Sequence, residues 1–222
     1  MIPKKKSLIA FIPARSGSKT IKNKNLKKIK NQSLVDITVK LALKSNLFAK
    51  IILSSDSDKI LKIGSKYKKI TNIKRPKSIS KDSSKTDDAL LHYLTNYKPK
   101  EKNIVLLQVT SPLRKIKTLK NFINFCLKKN IRNCLTVSQK KDHFSRPGKY
   151  FKSLEKISRR RRQSREGFLF ENGLLYFIDI KKFLSRKKIY SNKWNHYITD
   201  EYESIDINNL NDFKIVKKLY TK

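Results

Sequence analysis

The stretch SLIAFIPARSGSKTIKNKN (residues 7–25) opens as an uncharged apolar run and ends as a crowd of cations, amides and hydroxyls. Residues 7–14 have the length and character of a strand. No charge falls on either of its alternating faces, which is the pattern of a strand buried on both sides in a mainly parallel sheet. Such a strand delivers a loop at its carboxyl end, here Arg15, Ser16, Gly17, Ser18, Lys19, then Lys22, Lys24 and Asn25. In open α/β sheets that end is where ligands bind.

Beyond this stretch the same rhythm recurs. SLVDITVKLALKSN (33–46) has a helical face through Leu34, Ile37 and Leu41, and KIILSSD (50–56) is a short buried strand ending in hydroxyls and a carboxylate. SDKILKIGSKY (57–67) reads as an amphipathic helix. Residues 75–97 begin as a polar loop and continue as a helix opened by Ser84 and Asp87 in capping-box spacing, with Leu90, Leu91, Leu94 and Tyr97 on one stripe. NIVLLQVTSP (103–112) is the most strand-like run, TLKNFINFCLKK (118–129) a helix, NCLTVSQ (133–139) a strand. Residues of roughly 140–170 are polar, lack a period and contain RRRRQSRE, an excursion from the sheet. NGLLYFIDI (172–180) resumes as a strand and NNLNDFKIVKKLY (208–220) closes as a helix. Strands alternating with helices predict a single α/β domain with a mainly parallel sheet. Segments 13–25, 54–58 and 108–114 should converge beyond it.

Lys and Arg number 54 against 17 Asp and Glu, a formal charge of +37. The lysines are spread along the whole chain, so charge alone marks no polyanion-binding face. Cys126 and Cys134 lie in apolar context and three scattered histidines make no zinc site, which suits core thiols in a reducing, cytoplasmic compartment. KKKSLIAFIPA imitates a secretion signal, but Pro13 and Arg15 interrupt it where a cleavage region would begin. No uncharged run is long enough for a membrane span.

The first loop is not a Walker loop, because no glycine has the required spacing before Lys19. It can still cradle an anion: Gly17 can adopt the positive φ that turns N–H groups toward one centre, with Arg15 as a forked donor and Lys19 and Lys24 as point charges. A triphosphate matches that set better than one carboxylate, although a basic surface loop is an equal reading. In LLQVTSPLR (106–114), Gln108 can donate and accept at once, which suits a hydroxylated ligand. The plain alternative is a strand exit with a solvated Arg114. In ESIDINN (203–209), Glu203 and Asp206 stand out among few acids. Asp206 could share Mg²⁺ with substrate phosphates, or Asp206 or Asn208 could simply cap the last helix. SRRRRQSREG (158–167) is a solvated patch or a carboxylate-binding guanidinium cluster.

In order, IPARSGSK with KNKNL, ILSSDSDKI, RPKSISKDSSKT, LLQVTSPLR, RRQ followed by ENGLLY, and ESIDIN resemble the acylneuraminate (CMP-sialic acid) cytidylyltransferases across residues 9–213. The resemblance implies a Rossmann-like three-layer α/β/α domain over 1–222 and a homodimer that couples CTP to an acidic nine-carbon sugar with Mg²⁺ or Mn²⁺ and releases pyrophosphate. Arg15 and Lys19 match triphosphate-gripping, catalytic positions, with Lys24 and Asn25 continuing the loop. Arg75, Ser84 and Thr86 match nucleotide contacts; Gln108, Arg162 and Tyr176 match sugar contacts; Asp206 matches a catalytic, metal-binding aspartate. The 140–170 excursion would be the dimerisation subdomain.

Four positions depart from the family pattern. Thr20 replaces a common glycine and Val109 a usual proline. Leu174 replaces a small residue, which would narrow the sugar site. Asn208 replaces the second acid of an IDID motif, which weakens a metal site while keeping an oxygen ligand. Activation of a related sugar, including a 3-deoxy-octulosonic acid, is the enzymatic alternative. A basic nucleic-acid-binding module is the alternative from another class, but nucleic acid is not the expected partner because the patterned cations sit at strand exits beside Gly, Ser and Gln.

Overall fold

The computed structural model describes residues 7–150, 152–154, 167–190 and 193–220. Arg162 and every other arginine of the 158–167 run lie outside these residues. The apolar strands assemble into one seven-stranded sheet in the order β5-β4-β1-β6-β8-β7-β9, with β1 at Leu8–Pro13, β4 at Lys50–Ser55, β5 at Ile70–Lys74, β6 at Asn103–Leu107, β7 at Asn133–Lys140, β8 at Phe168–Asp179 and β9 at Asn195–Ile198. A two-stranded hairpin, β2 (Lys28–Ile29) with β3 (Gln32–Ser33), stands apart. β1 pairs in parallel with β4 and β6, β4 with β5, and β7 with β9; β8 alone runs antiparallel to both of its neighbours.

The side-chain alternation of β1 explains the layers. Leu8, Ala10 and Ile12 enter one core, with residues of α1 (Leu34–Ser45), α2 (Asp58–Gly64), α4 (Ile116–Lys128) and α6 (Leu210–Tyr220). Ile9 and Phe11 enter the other, with α3 (Thr86–Tyr97) and α5 (Ile180–Arg186). Both faces of the central strands are therefore dry, as their unbroken apolar runs require. The expected three-layer α/β/α fold with a mainly parallel sheet is what forms, and the imitation of a secretion signal is its central strand. Cys126 and Cys134 are both buried and free. No helix among the described residues is long and apolar enough to cross a membrane.

Several boundaries move. The helix after the polar loop caps one residue later than its sequence suggests: the Lys85 backbone N–H donates to the Asp88 carboxylate at 2.8 Å, and the buried stripe is Ala89, Leu90, Tyr93 and Leu94 rather than one reaching Tyr97, which is exposed. β8 starts at Phe168, so the end of the 140–170 excursion is sheet, and β5, α5 and β9 are elements without a clear sequence signal.

Strand order reverses at β1. The chain steps outward through β4 and β5, then returns to place β6 on the other flank of β1. The exits of β1 and β6 thereby flank one crevice, the place where open α/β sheets bind ligands.

Candidate active site

Three adjoining clefts open at the carboxyl ends of β1 and β6. The first, about 170 Å³, is lined by Pro13, Arg15, Gly17, Ser18, Lys24, Asn25, Arg75, Ser84, Lys85, Thr86 and the 108–110 exit of β6. The second, about 590 Å³, joins Lys24, Gln108, Thr110, Glu171, Tyr176, Asp206 and Asn208. The third, about 510 Å³, runs between Ser84, Thr86, Gln108, Tyr176 and Tyr190. Gln108 faces all three. A larger groove of about 970 Å³ lies where β7 and β9 begin, lined by cations such as Arg132 and Arg186, and gathers none of the residues singled out in the sequence. In so basic a chain, residue convergence is the better guide to the site than volume.

The anion loop is held from three sides. Asp56, just beyond β4, accepts from the Ser16 backbone N–H at 2.8 Å and from the Ser16 hydroxyl at 2.5 Å. Asn25 donates its amide to the Arg15 carbonyl at 2.8 Å. Lys24 donates to the Ile207 carbonyl at 2.8 Å and Thr20 to the Asn208 carbonyl at 2.5 Å. The segment 54–58 thus supports the cleft from behind, whereas 13–25 and 108–110 line it. Thr20, in place of a glycine, supplies one of these ties. Gly17 is not at positive φ; the left-handed residue of this loop is Asn23, at φ 54°. Lys19 stands exposed and lines none of the three clefts.

Within the first cleft, the Arg15 guanidinium donates to the Lys81 carbonyl at 2.9 Å and pairs with Asp82 at 2.7 Å. Arg75 is buried and donates to the Ser54 carbonyl at 3.1 Å and the Ser54 hydroxyl at 3.3 Å. Burial pulls its pKa down to about 10, partly offset by Asp56. Burial likewise lowers that of Lys24, against the pull of Asp206. Arg75 and Lys24 are thus taken partly out of water around a first cleft that no carboxylate lines, with Asp82 pairing Arg15 at its edge, a favourable setting for phosphate oxygens.

Arg114 is not solvated. It is fully buried and donates to the Gln108 carbonyl at 2.8 Å and the Leu174 carbonyl at 3.1 Å, tying the exit of β6 to β8; burial pulls its pKa down to about 9. Leu174 does not narrow the cleft, since its side chain is fully inside the core. Glu203 is buried and structural: it accepts from the Lys115 N–H and the Thr118 hydroxyl at the start of α4. Asp206 is not at a strand exit but in a loop laid across β6 by the Ile207 N–H to Thr110 carbonyl bond. Neither Asp206 nor Asn208 caps the last helix through its side chain: Asn209 accepts from the Asn211 and Asp212 N–H groups. The Asp206 carboxylate therefore faces the second cleft.

Residues that the sequence did not reveal come from β8. Between the pairs Leu135↔Tyr176 and Val137↔Glu171, one residue of β7, Thr136, faces four of β8, 172–175. Gly173 takes φ +69° in this bulge. The bulge is pinned by buried Asn172, which accepts from the Thr136 hydroxyl and donates to Ser138 and Thr199, all within 2.9 Å. The ENG of ENGLLY is its signal, legible only once the pairing register is known.

A mainly parallel sheet with a cation-lined crevice at the β1 and β6 exits defines a nucleotide-handling α/β architecture. Solved structures share it at the level of fold: 4-diphosphocytidyl-2C-methyl-D-erythritol synthase from Anaerococcus prevotii aligns over 99% of this chain and 100% of its own with TM-score 0.74 and 16% identity. CMP:2-keto-3-deoxy-manno-octonic acid synthetase complexed with CTP aligns over 97% and 98% with TM-score 0.69 and 12% identity. The cytidylyltransferase family model matches residues 9–219, and the chain belongs to that family of nucleotidyltransferases. It is 27% identical over 213 residues to an N-acylneuraminate cytidylyltransferase of Streptococcus agalactiae serotype V, covering 92% of this chain and 51% of that protein. It is 25% identical to a CMP-N,N'-diacetyllegionaminic acid synthase of Legionella pneumophila, covering 96% and 95%. The chain spans about half the length of the first of these relatives.

Proposed function

We propose that the chain transfers the cytidylyl group of CTP to a nonulosonic acid, N-acetylneuraminate or a relative such as legionaminate or pseudaminate. The observation that carries this reading is the junction of clefts at Gln108, with Arg15, Lys24 and Arg75 on one side and Tyr176, Asp206 and Asn208 on the other. The sugar's C2 oxygen attacks the α-phosphorus, the bond to the β-phosphate oxygen breaks in line, and pyrophosphate leaves. Arg15 neutralises the departing pyrophosphate, and Lys24 holds the triphosphate at the mouth of the second cleft. Arg75, Ser84 and Thr86 seat the nucleoside. Gln108 and Tyr176 orient the sugar, so the rate comes from alignment and fixed charge.

Among the described residues no cluster of three or more His, Cys, Asp or Glu could hold a metal by itself. Asp206 and Asn208 offer oxygen donors to the second cleft, which fits Mg²⁺ or Mn²⁺ shared with substrate phosphates. When bound there, the ion supplies Lewis-acid polarisation of phosphate oxygens and acidifies the attacking hydroxyl. On this reading the enzyme acts in the cytoplasm as a homodimer. The test is pyrophosphate release from CTP over a panel of nonulosonic acids and 3-deoxy-octulosonic acid with Mg²⁺ present. Activity with a nonulosonic acid is the expected result; silence from a folded dimer with all of them overturns it.

A further inference from the structure

Glu171 and Tyr176 are five residues apart on one strand, so in an unbroken strand they would point to opposite faces of the sheet. The β8 bulge changes that. With 172–175 looped against Thr136 and Gly173 turned left-handed, the Glu171 carboxylate reaches the Tyr176 hydroxyl, which donates to its Oε1. Tyr190 donates to the same oxygen at 2.5 Å, and the two hydroxyls lie 3.3 Å apart. Tyr190 comes from the segment after α5, which is fixed to the start of α3 by the Ile189 N–H to Asp87 bond at 3.1 Å. Its ring is edge-on to Tyr176 and packs beside Trp194, each at 6.3 Å. Bulges re-aim side chains in this way.

Both phenolic protons are committed to Glu171, and the tyrosines hold on to them: burial first, then the bond to Glu171, pushes the pKa of Tyr190 up to about 12. What the cluster presents to the second cleft is therefore acceptor capacity alone, centred on a carboxylate whose Oε2 is not engaged by either tyrosine. Such a group repels the sugar's own carboxylate and stabilises a substituent that carries a hydrogen-bond donor.

We propose that Glu171, aimed by the β8 bulge and locked by Tyr176 and Tyr190, is a specificity-determining residue that accepts a hydrogen bond from a donor substituent, hydroxyl or amide N–H, of the acidic sugar. This rests on the functional reading above and narrows it. The substrate carries a hydroxyl or amide donor at the carbon opposite Glu171, and an analogue with a deoxy carbon there leaves Oε2 without that donor in the complex. Sites built to bond a polar group discriminate strongly against partners that lack it, while sites with a charged acceptor also exclude the wrong charge.

The experiment compares sugars identical except at one carbon, acylamido against deoxy, with wild type, Glu171→Gln, Glu171→Leu and Tyr190→Phe. Expected is a wild-type preference in kcat/KM of about 10–100-fold for the donor-bearing sugar, the span of a hydrogen bond to a charged group. Glu171→Gln keeps a neutral acceptor and part of the preference; Glu171→Leu reduces it below about twofold through sugar KM, with KM for CTP unchanged; Tyr190→Phe loosens it partly. A melting temperature close to wild type shows that the variants are folded, and Glu171→Gln, nearly isosteric, serves if the leucine variant is not. Wild-type preference retained in both Glu171 variants overturns the proposal while the cytidylyltransferase reading stands. A wild-type enzyme active with no nonulosonic acid at all overturns that reading and this one with it.

Discussion

The two sides of the active-site crevice are built by different means. The nucleotide side uses the general property of a parallel sheet: strands β1 and β6 deliver their loops to one end, and Asp56 beyond β4 braces the loop of β1. The sugar side uses an exception, the antiparallel strand β8 and its bulge, held by one buried asparagine. The first kind of site follows from strand direction and tolerates changes in its loops. The second depends on a single register irregularity, so its failure should be local and abrupt.

Four substitutions test that contrast. Arg15→Ala should lower turnover by about 10²–10³-fold, the scale of losing one preorganised charge-stabilising donor. Because its pairing with Asp82 is largely exposed, stability should move by less than about 1 kcal/mol. Near-normal turnover in steady-state kinetics would remove Arg15 from the mechanism. Asn172→Ala should reverse the pattern. It removes four buried hydrogen bonds, those with Thr136, Ser138, Thr199 and the Leu174 N–H, at a cost of about 2–3 kcal/mol. A melting temperature lower by roughly 5–10 °C in a chain of this size is the check, with CTP affinity kept and sugar affinity lost.

Gly173→Ala is milder. The space around a Cβ there is open, so the cost is the left-handed φ alone, about 1 kcal/mol. Calorimetry should find that loss, and a rise in sugar KM without a change in CTP KM would place the bulge on the sugar side. Smallest is Asp82→Asn. Asp82 competes for Arg15 with an incoming phosphate, so removing its charge should lower KM for CTP by up to about fivefold, the worth of an exposed ion pair. A rise in that KM would mean that Asp82 organises the loop instead of competing with ligand.

The contrast also explains what can be read from residues alone. Parallel strands buried on both faces are unbroken apolar runs, so β1, β4 and β6 are plain in the sequence, and their exits point to Arg15 and Gln108. The convergence of Arg75, Ser84 and Thr86 is legible only through resemblance, because a polar loop carries no periodicity to place it. Glu171 and Tyr190 are hidden for a different reason. Their meeting depends on which residue of β7 faces which residue of β8, a long-range fact with no local pattern. Gly17 misleads because several backbone paths turn a strand into a loop, and here Asn23 takes the left-handed step. Arg114 misleads because a charged residue after a strand looks solvated until its two buried carbonyl partners, at Gln108 and Leu174, are known.

The tie from Lys24 to the Ile207 carbonyl joins residues 183 positions apart. During synthesis, β1, β4, β5 and β6 leave the ribosome early and can pair among themselves, but this brace on the anion loop waits for the last tenth of the chain. At about 5–20 residues per second, that is a delay on the order of ten seconds. The crevice is thus finished well after these strands, and a nascent chain short of Ile207 holds them without a working mouth. Completion of the site reports that synthesis has passed residue 207.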